Sequence, residues 1–74
     1  MKTGTSPNRL RVLRAERRLS QHKVSDETGI NVTRFWYLEQ GRRAPRRDEV
    51  RKLAEYFGVP QRELGFSEIE QASA

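Results

Sequence analysis

Three glycines, at positions 29, 41 and 58, cut the chain into stretches that suit short helices and little else. Each stretch opens on a helix-starting signal. Ser20 precedes "QHKVSDET", Asn31 precedes "VTRFWYLEQ", and Asp48 and Glu49 sit at the start of "DEVRKLAEYF". Ser and Asn oxygens accept from the unpaired N–H groups of a first turn, acids favour its positive end, and Gly takes the left-handed turn that ends a helix. In the last stretch Val50, Leu53, Ala54 and Phe57 recur at i, i+3, i+4, i+7, the apolar stripe of an amphipathic helix. Upstream, Ser6 as N-cap, Pro7 in the first turn, and Leu10 and Leu13 on one face predict a helix over roughly 7–18. Downstream, "VPQREL" suits one or two further turns, and Ser67 with Glu70 reads as a capping box for a last, frayed turn. There is no strand alternation and no repeat. The expectation is an all-α domain of four or five short helices over residues 1–66, followed by a polar, acidic, frayed tail over 67–74.

A chain of 74 residues holds one small domain with a modest core. It has no cysteine, which excludes disulfides and thiolate metal sites and suits a reducing compartment. "MKTGTSPN" lacks the apolar run of a secretion signal, and nothing approaches a membrane span. A cytoplasmic, nucleoid-associated protein without a membrane partner is expected. The net charge of +5 is uneven. All 15 Lys and Arg lie in residues 1–62 against seven acids, while residues 63–74 carry three acids and no base. Twelve of the 15 bases are Arg, whose fork matches phosphate. The balance suits either a solvated basic surface or a polyanionic partner.

Phe35, Trp36 and Tyr37 stand side by side, yet successive helical side chains lie about 100° apart. Phe35 and Leu38 define the inward face of their helix. Trp36 and Tyr37 then point about 130° away from it on opposite sides, Thr33 and Gln40 point almost straight out, Val32 sits at the flank, and Glu39 lies about 70° from the core direction. Phe35 is therefore core. The outward face of Thr33, Trp36, Tyr37 and Gln40, with an Arg-rich loop after it, suits docking in a groove. There Thr and Val suit a thymine methyl, Asn, Gln and Thr suit base edges, and Arg suits phosphate. The alternative is that Trp36 and Tyr37 fold back over the fourth helix or onto a second copy.

His22 is the only histidine, so metal ligation lacks partners, and a solvated or phosphate-proximal role fits it better. No Gly-rich phosphate loop and no nucleophile–base pair is present. Neither enzyme activity nor a cofactor is expected.

Leu10, Leu13, Arg14, Leu19, Ser20 and Gln21, then Val24, the turn Gly29-Ile30-Asn31, Phe35, Leu38, Glu39, Gly41, Pro45 and "LAEYFGV" together resemble the Cro/repressor-type, lambda-repressor-like (XRE) helix-turn-helix domain over about residues 8–65. The resemblance implies that the second and third helices form the helix-turn-helix, with 31–40 as recognition helix. It implies base-facing positions at Val32, Thr33 and Tyr37, and Asn31 and Trp36 beside them are expected to face bases as well. It implies backbone-contacting positions at Gln21, Gln40, Arg42, Arg43 and Arg46, with Gln21 also bracing the recognition helix, and the nearby basic residues Lys23, Arg34 and Arg47 are expected to contact the backbone with them. Arg14 and Glu39 match an ion pair tying the first helix to the third; the alternative is two unrelated surface charges. Ser25 and Thr28 depart from the Ala and Leu common in the family, and Pro60 stands where a Ser or Thr cap is usual.

The implied function is a sequence-specific regulator of transcription that binds double-stranded DNA, a repressor that covers a promoter. The alternatives are an antitoxin-like DNA-binding protein that also holds a toxin, an interaction adaptor that kept the fold, and a single-strand binder whose aromatics stack on bases. A weak or DNA-driven homodimer is expected, with Leu64, Phe66 and Ile69 as its contact material unless Leu64 and Phe66 close the monomer core.

Overall fold

The structure is a computed structural model that describes residues 7–70. The elements in order are α1 (Leu10–Glu16), α2 (Gln21–Thr28), α3 (Val32–Gln40), α4 (Arg47–Phe57) and a 3-10 turn (Gln61–Leu64). The all-α expectation holds.

Local chemistry sets most boundaries. The Ser20 hydroxyl accepts from the Lys23 N–H at 3.0 Å, and Asn31 Oδ1 accepts from Thr33 and Arg34 N–H at 2.8 and 3.3 Å. Gly29, Gly41 and Gly58 end α2, α3 and α4 in the left-handed region. Helix α4 starts with Glu49 reaching back to the Arg46 N–H at 2.8 Å, half of a capping box.

The first helix is shorter than the spacing predicts. It starts at Leu10, not at Pro7, with Arg9 at the N-cap position, and in the turn before it Asn8 Oδ1 accepts from the Leu10 N–H at 3.0 Å. The other end of the same buried amide donates to the Leu38 carbonyl at 2.8 Å, fastening the start of α1 to the end of α3. Ser6 lies outside the described residues. At its other end α1 stops at Glu16, and Arg18 turns the chain with φ of 56°, returning the Leu19 N–H to the Arg14 carbonyl at 2.9 Å.

One core unites all elements: Leu10, Leu13, Val24, Ile30, Phe35, Leu38, Val50, Leu53, Ala54, Phe57 and Leu64, with Leu19, Tyr56, Val59 and Phe66 packed against it. Full burial of such side chains contributes about 1.5–3 kcal/mol each. The two departures in the helix-turn-helix carry hydrogen bonds. Ser25 donates to the Ile30 carbonyl at 2.5 Å, and Thr28 donates to the Val24 carbonyl at 2.7 Å while accepting from the Ile30 N–H at 3.3 Å. Both hydroxyls thus hold the turn that sets α3 against α2.

Ser67 and Glu70 do not start a helical turn. Residues 67–70 run without helix, and the Glu70 N–H donates to the Pro45 carbonyl at 2.6 Å. A four-residue turn makes too few internal bonds to compete with pairing against the loop before α4. Leu64 is buried and Phe66 partly buried in the monomer, which leaves Ile69, 38% exposed, as the apolar residue of that segment facing outward. Residues 71–74 of the expected tail lie outside the described residues.

Candidate nucleic-acid interface

Helix α3 turns Phe35 and Leu38 fully into the core and leaves Thr33, Trp36 and Gln40 exposed, with Val32 and Tyr37 partly so. This is the division the 100° spacing predicts. Gln21, Val32, Thr33, Trp36 and Tyr37 line one shallow hollow of about 350 Å³ between the start of α2 and the outer face of α3. Trp36 is 37% exposed, meets Tyr37 edge to face at 5.3 Å, and carries the Arg42 guanidinium over its ring at 5.4 Å. The two aromatics and the first arginine after the helix thereby form one continuous surface. The ring and the cation restrain each other.

Under this surface lies a saturated ionic network. Glu39 is buried. Its Oε2 accepts from Arg14 Nε and Nη2 at 3.2 and 2.7 Å, and its Oε1 accepts from Gln21 at 2.6 Å. Arg14 also donates to the Leu19 carbonyl at 3.0 Å. One carboxylate therefore ties α1, the start of α2 and α3 together, and both of its oxygens have partners. The predicted Arg14–Glu39 pair and the bracing contact of Gln21 are both in place.

Arg34 is placed differently from its expected role at a nucleic-acid backbone. It turns toward α4, where Nε and Nη2 donate to Glu49 at 3.0 and 2.8 Å, and Nη2 also reaches the Ala44 carbonyl at 3.3 Å and Glu70 at 3.7 Å. The guanidinium is committed to carboxylates inside the fold, since its long side chain reaches Glu49 in the first turn of α4. Burial pushes the Glu49 carboxyl up, but the Arg34 hydrogen bonds, the Arg46 N–H and the charge of Arg34 outweigh it and hold the carboxyl below its ordinary value. The Arg34 guanidinium is raised in turn, chiefly by its bonds to Glu49. Asn31 spends its oxygen on the α3 cap, leaving the amide NH₂ as the group that can face a ligand.

The remaining predicted positions are peripheral and solvent-facing. Gln40, Arg42, Arg43, Arg46 and Arg47 are exposed along the end of α3, the loop and the start of α4. Lys23 is exposed on α2 and pairs with Glu27 at 3.0 Å, one turn further on. Three functional supports escaped the sequence reading. Asn8 is one, although an Asn after Pro7 is itself a cap signal. Arg17 is another: it donates to the Phe57 carbonyl at 2.8 Å at the end of α4 and lies over the Phe57 ring at 5.4 Å. The third is Tyr56, whose hydroxyl donates to Glu27 at 2.5 Å and joins α4 to α2. That bond, with burial and the Glu27 charge, pushes the phenol up to about 12, while it and Lys23 lower Glu27. The Arg17 and Tyr56 contacts join residues far apart in sequence, so no local signal announces them.

A braced helix-turn-helix with an outward polar and aromatic face and a basic loop behind it defines the class of protein. A family model described as a helix-turn-helix domain matches residues 8–65, and the chain belongs to that family. It is 37% identical over 57 residues to the cryptic phage CTXphi transcriptional repressor RstR of Vibrio cholerae. The match covers 77% of this chain and 51% of RstR, so the chain spans about half the length of that curated relative. No solved structure matches the chain significantly.

Proposed function

We propose that this chain is a sequence-specific regulator that binds double-stranded DNA and represses transcription by covering a promoter. The observation that carries the reading is the α3 surface: Val32, Thr33, Trp36 and Tyr37 outward around one hollow, with Arg42 and Arg43 directly after. A convex helix of this width fits a major groove, where methyl, amide and hydroxyl groups read base edges. Similarity to a phage repressor supports the regulatory sign. The action is stoichiometric and involves no chemical conversion.

In this reading Val32, Thr33, Tyr37 and the Asn31 amide face bases, and Trp36 flanks them with Arg42 stacked upon it. Gln21 holds α3 through Glu39 and presents its remaining polar group near a phosphate at the start of α2. Lys23, Gln40, Arg43, Arg46 and Arg47 approach the backbone. Arg34 is assigned to the fold, not to the DNA. One recognition helix reads too few base pairs for tight specific binding, so two copies bind half-sites about one helical turn apart.

The test is selection of bound duplexes from a random pool, followed by a salt titration on the winner. Enrichment of a two-fold site, with log K falling by about 0.9 per neutralised phosphate, is the expected result. No enriched sequence together with a flat salt dependence would overturn the reading.

A further inference from the structure

The described end of the chain lies across the basic loop. Phe66 packs on the core, and Phe66, Ser67 and Glu68 face Arg42, Arg43 and Pro45 across a hollow of about 170 Å³. Two residues on, Glu70 donates its N–H to the Pro45 carbonyl at 2.6 Å and forms a single parallel bridge with Arg46. Its carboxylate lies 3.7 Å from Arg34 Nη2, which already holds Glu49 at 2.8 Å. One guanidinium on α3 thus faces two carboxylates. A carboxylate is the side chain that best imitates a phosphate oxygen pair toward Arg. Arg34 belongs to the fold, but Glu68 lines the same hollow as Arg42 and Arg43, and the Glu70 backbone pairs with Arg46. Both carboxylates thus lie beside arginines to which the proposed function gives phosphates, and a phosphate arriving there meets like charge.

The strap is held lightly. Among the described residues its backbone pairing is a single bridge, and the Glu70 carboxylate is exposed, so its ion pair is weak and screened by salt. Arg34 keeps Glu49 when Glu70 leaves, so release strands no buried charge.

We propose that residues 67–70 form an acidic strap that occupies the phosphate-facing side of loop 41–46 in the free protein and is displaced when duplex DNA binds. This rests on the DNA-binding reading above. The strap competes with phosphate, so it lowers the affinity for every duplex and keeps the free protein off DNA that offers charge alone.

The experiment compares the whole chain, Glu68→Gln/Glu70→Gln, and Glu16→Gln/Glu55→Gln, which removes the same charge elsewhere, on a labelled 20-base-pair duplex of arbitrary sequence. Amide hydrogen exchange at Glu70 is followed with and without that duplex. The strap variant is expected to bind about two- to fivefold tighter than the control variant, the range that weak exposed ion pairs allow. The Glu70 amide is expected to be slowed in the free protein and to exchange freely in the complex. Equal tightening by both variants, or a Glu70 amide equally protected in the complex, overturns the strap while leaving DNA binding intact. If no variant binds duplex DNA, the functional reading fails and the strap proposal fails with it. Binding by the strap variant alone supports both.

Discussion

Glu39 sits buried beneath α3 with its Oε2 2.7 Å from Arg14 Nη2, and its Oε1 holds Gln21 at 2.6 Å. The outer face of α3 keeps its angle to α2 because this carboxylate is shared between them. Truncating either charge strands the other in the fold. Arg14→Ala or Glu39→Ala should each cost about 3 kcal/mol, and the double variant less than their sum. Urea unfolding of the four species measures the coupling; small additive losses would mean the pair contributes nothing special.

The Arg34–Glu49 pair makes a second, pH-dependent statement. The Glu49 carboxyl is held below its ordinary value of 4.5, so its contribution is present above that value and is lost as pH falls through the lower folded value. The thermal midpoint should decline below pH 4.5, and Glu49→Gln should flatten part of that decline. Arg34→Ala should lower stability at neutral pH while leaving the salt dependence of DNA binding nearly unchanged. A large drop in the salt slope would return Arg34 to the DNA backbone.

Tyr56 offers a spectroscopic check at the other extreme. Its phenol is pushed up to about 12 by its bond to Glu27, so the stability it lends is complete below 10.0 and lost as pH rises through the folded value. Glu27→Gln should bring the Tyr56 transition back toward 10.0 in an ultraviolet titration of tyrosinate. Tyr56→Phe removes the transition and identifies it.

Two glycines with nearly the same φ should respond differently to alanine. Gly29, at φ 79°, has open space around an added Cβ, so Gly29→Ala should cost only the left-handed strain, about 1–2 kcal/mol. At Gly41, φ 76°, the same carbon would lie 2.7 Å from Pro7 Cγ. Gly41→Ala should cost more than Gly29→Ala in denaturant melts. Equal costs would mean the segment around Pro7 yields freely.

On DNA, the loop and the helix face should separate into charge and sequence effects. Arg43→Ala should weaken all duplexes alike and reduce the salt slope by about 0.9. Tyr37→Ala should keep the slope and lose about 1–3 kcal/mol on the selected site alone. The single tryptophan, Trp36, reports both variants by its fluorescence. Uniform weakening by Tyr37→Ala would remove it from base reading.

The signals that bound the helices are local. Ser20, Asn31, Gly29, Gly41 and Gly58 act within three or four residues of themselves, so they bound α2, α3 and α4 without knowing the rest of the molecule. The 3.6-residue period likewise turned Phe35 inward and Trp36 and Tyr37 outward before any packing was known, and it left Glu39 close enough to the core to need a partner. Tertiary structure alone decided the rest. Asn8, just before α1, found its partner in the Leu38 carbonyl, 30 residues later. Arg34 and Arg43 read alike as arginines beside a recognition helix. The first found Glu49 across the interface with α4, whereas the second stayed in solvent. Glu70 joined Pro45 instead of starting a turn. Whether a long charged side chain reaches solvent or a carboxylate depends on which helix lies opposite it, and that is set by how the buried faces dock, not by the residues beside it in the chain.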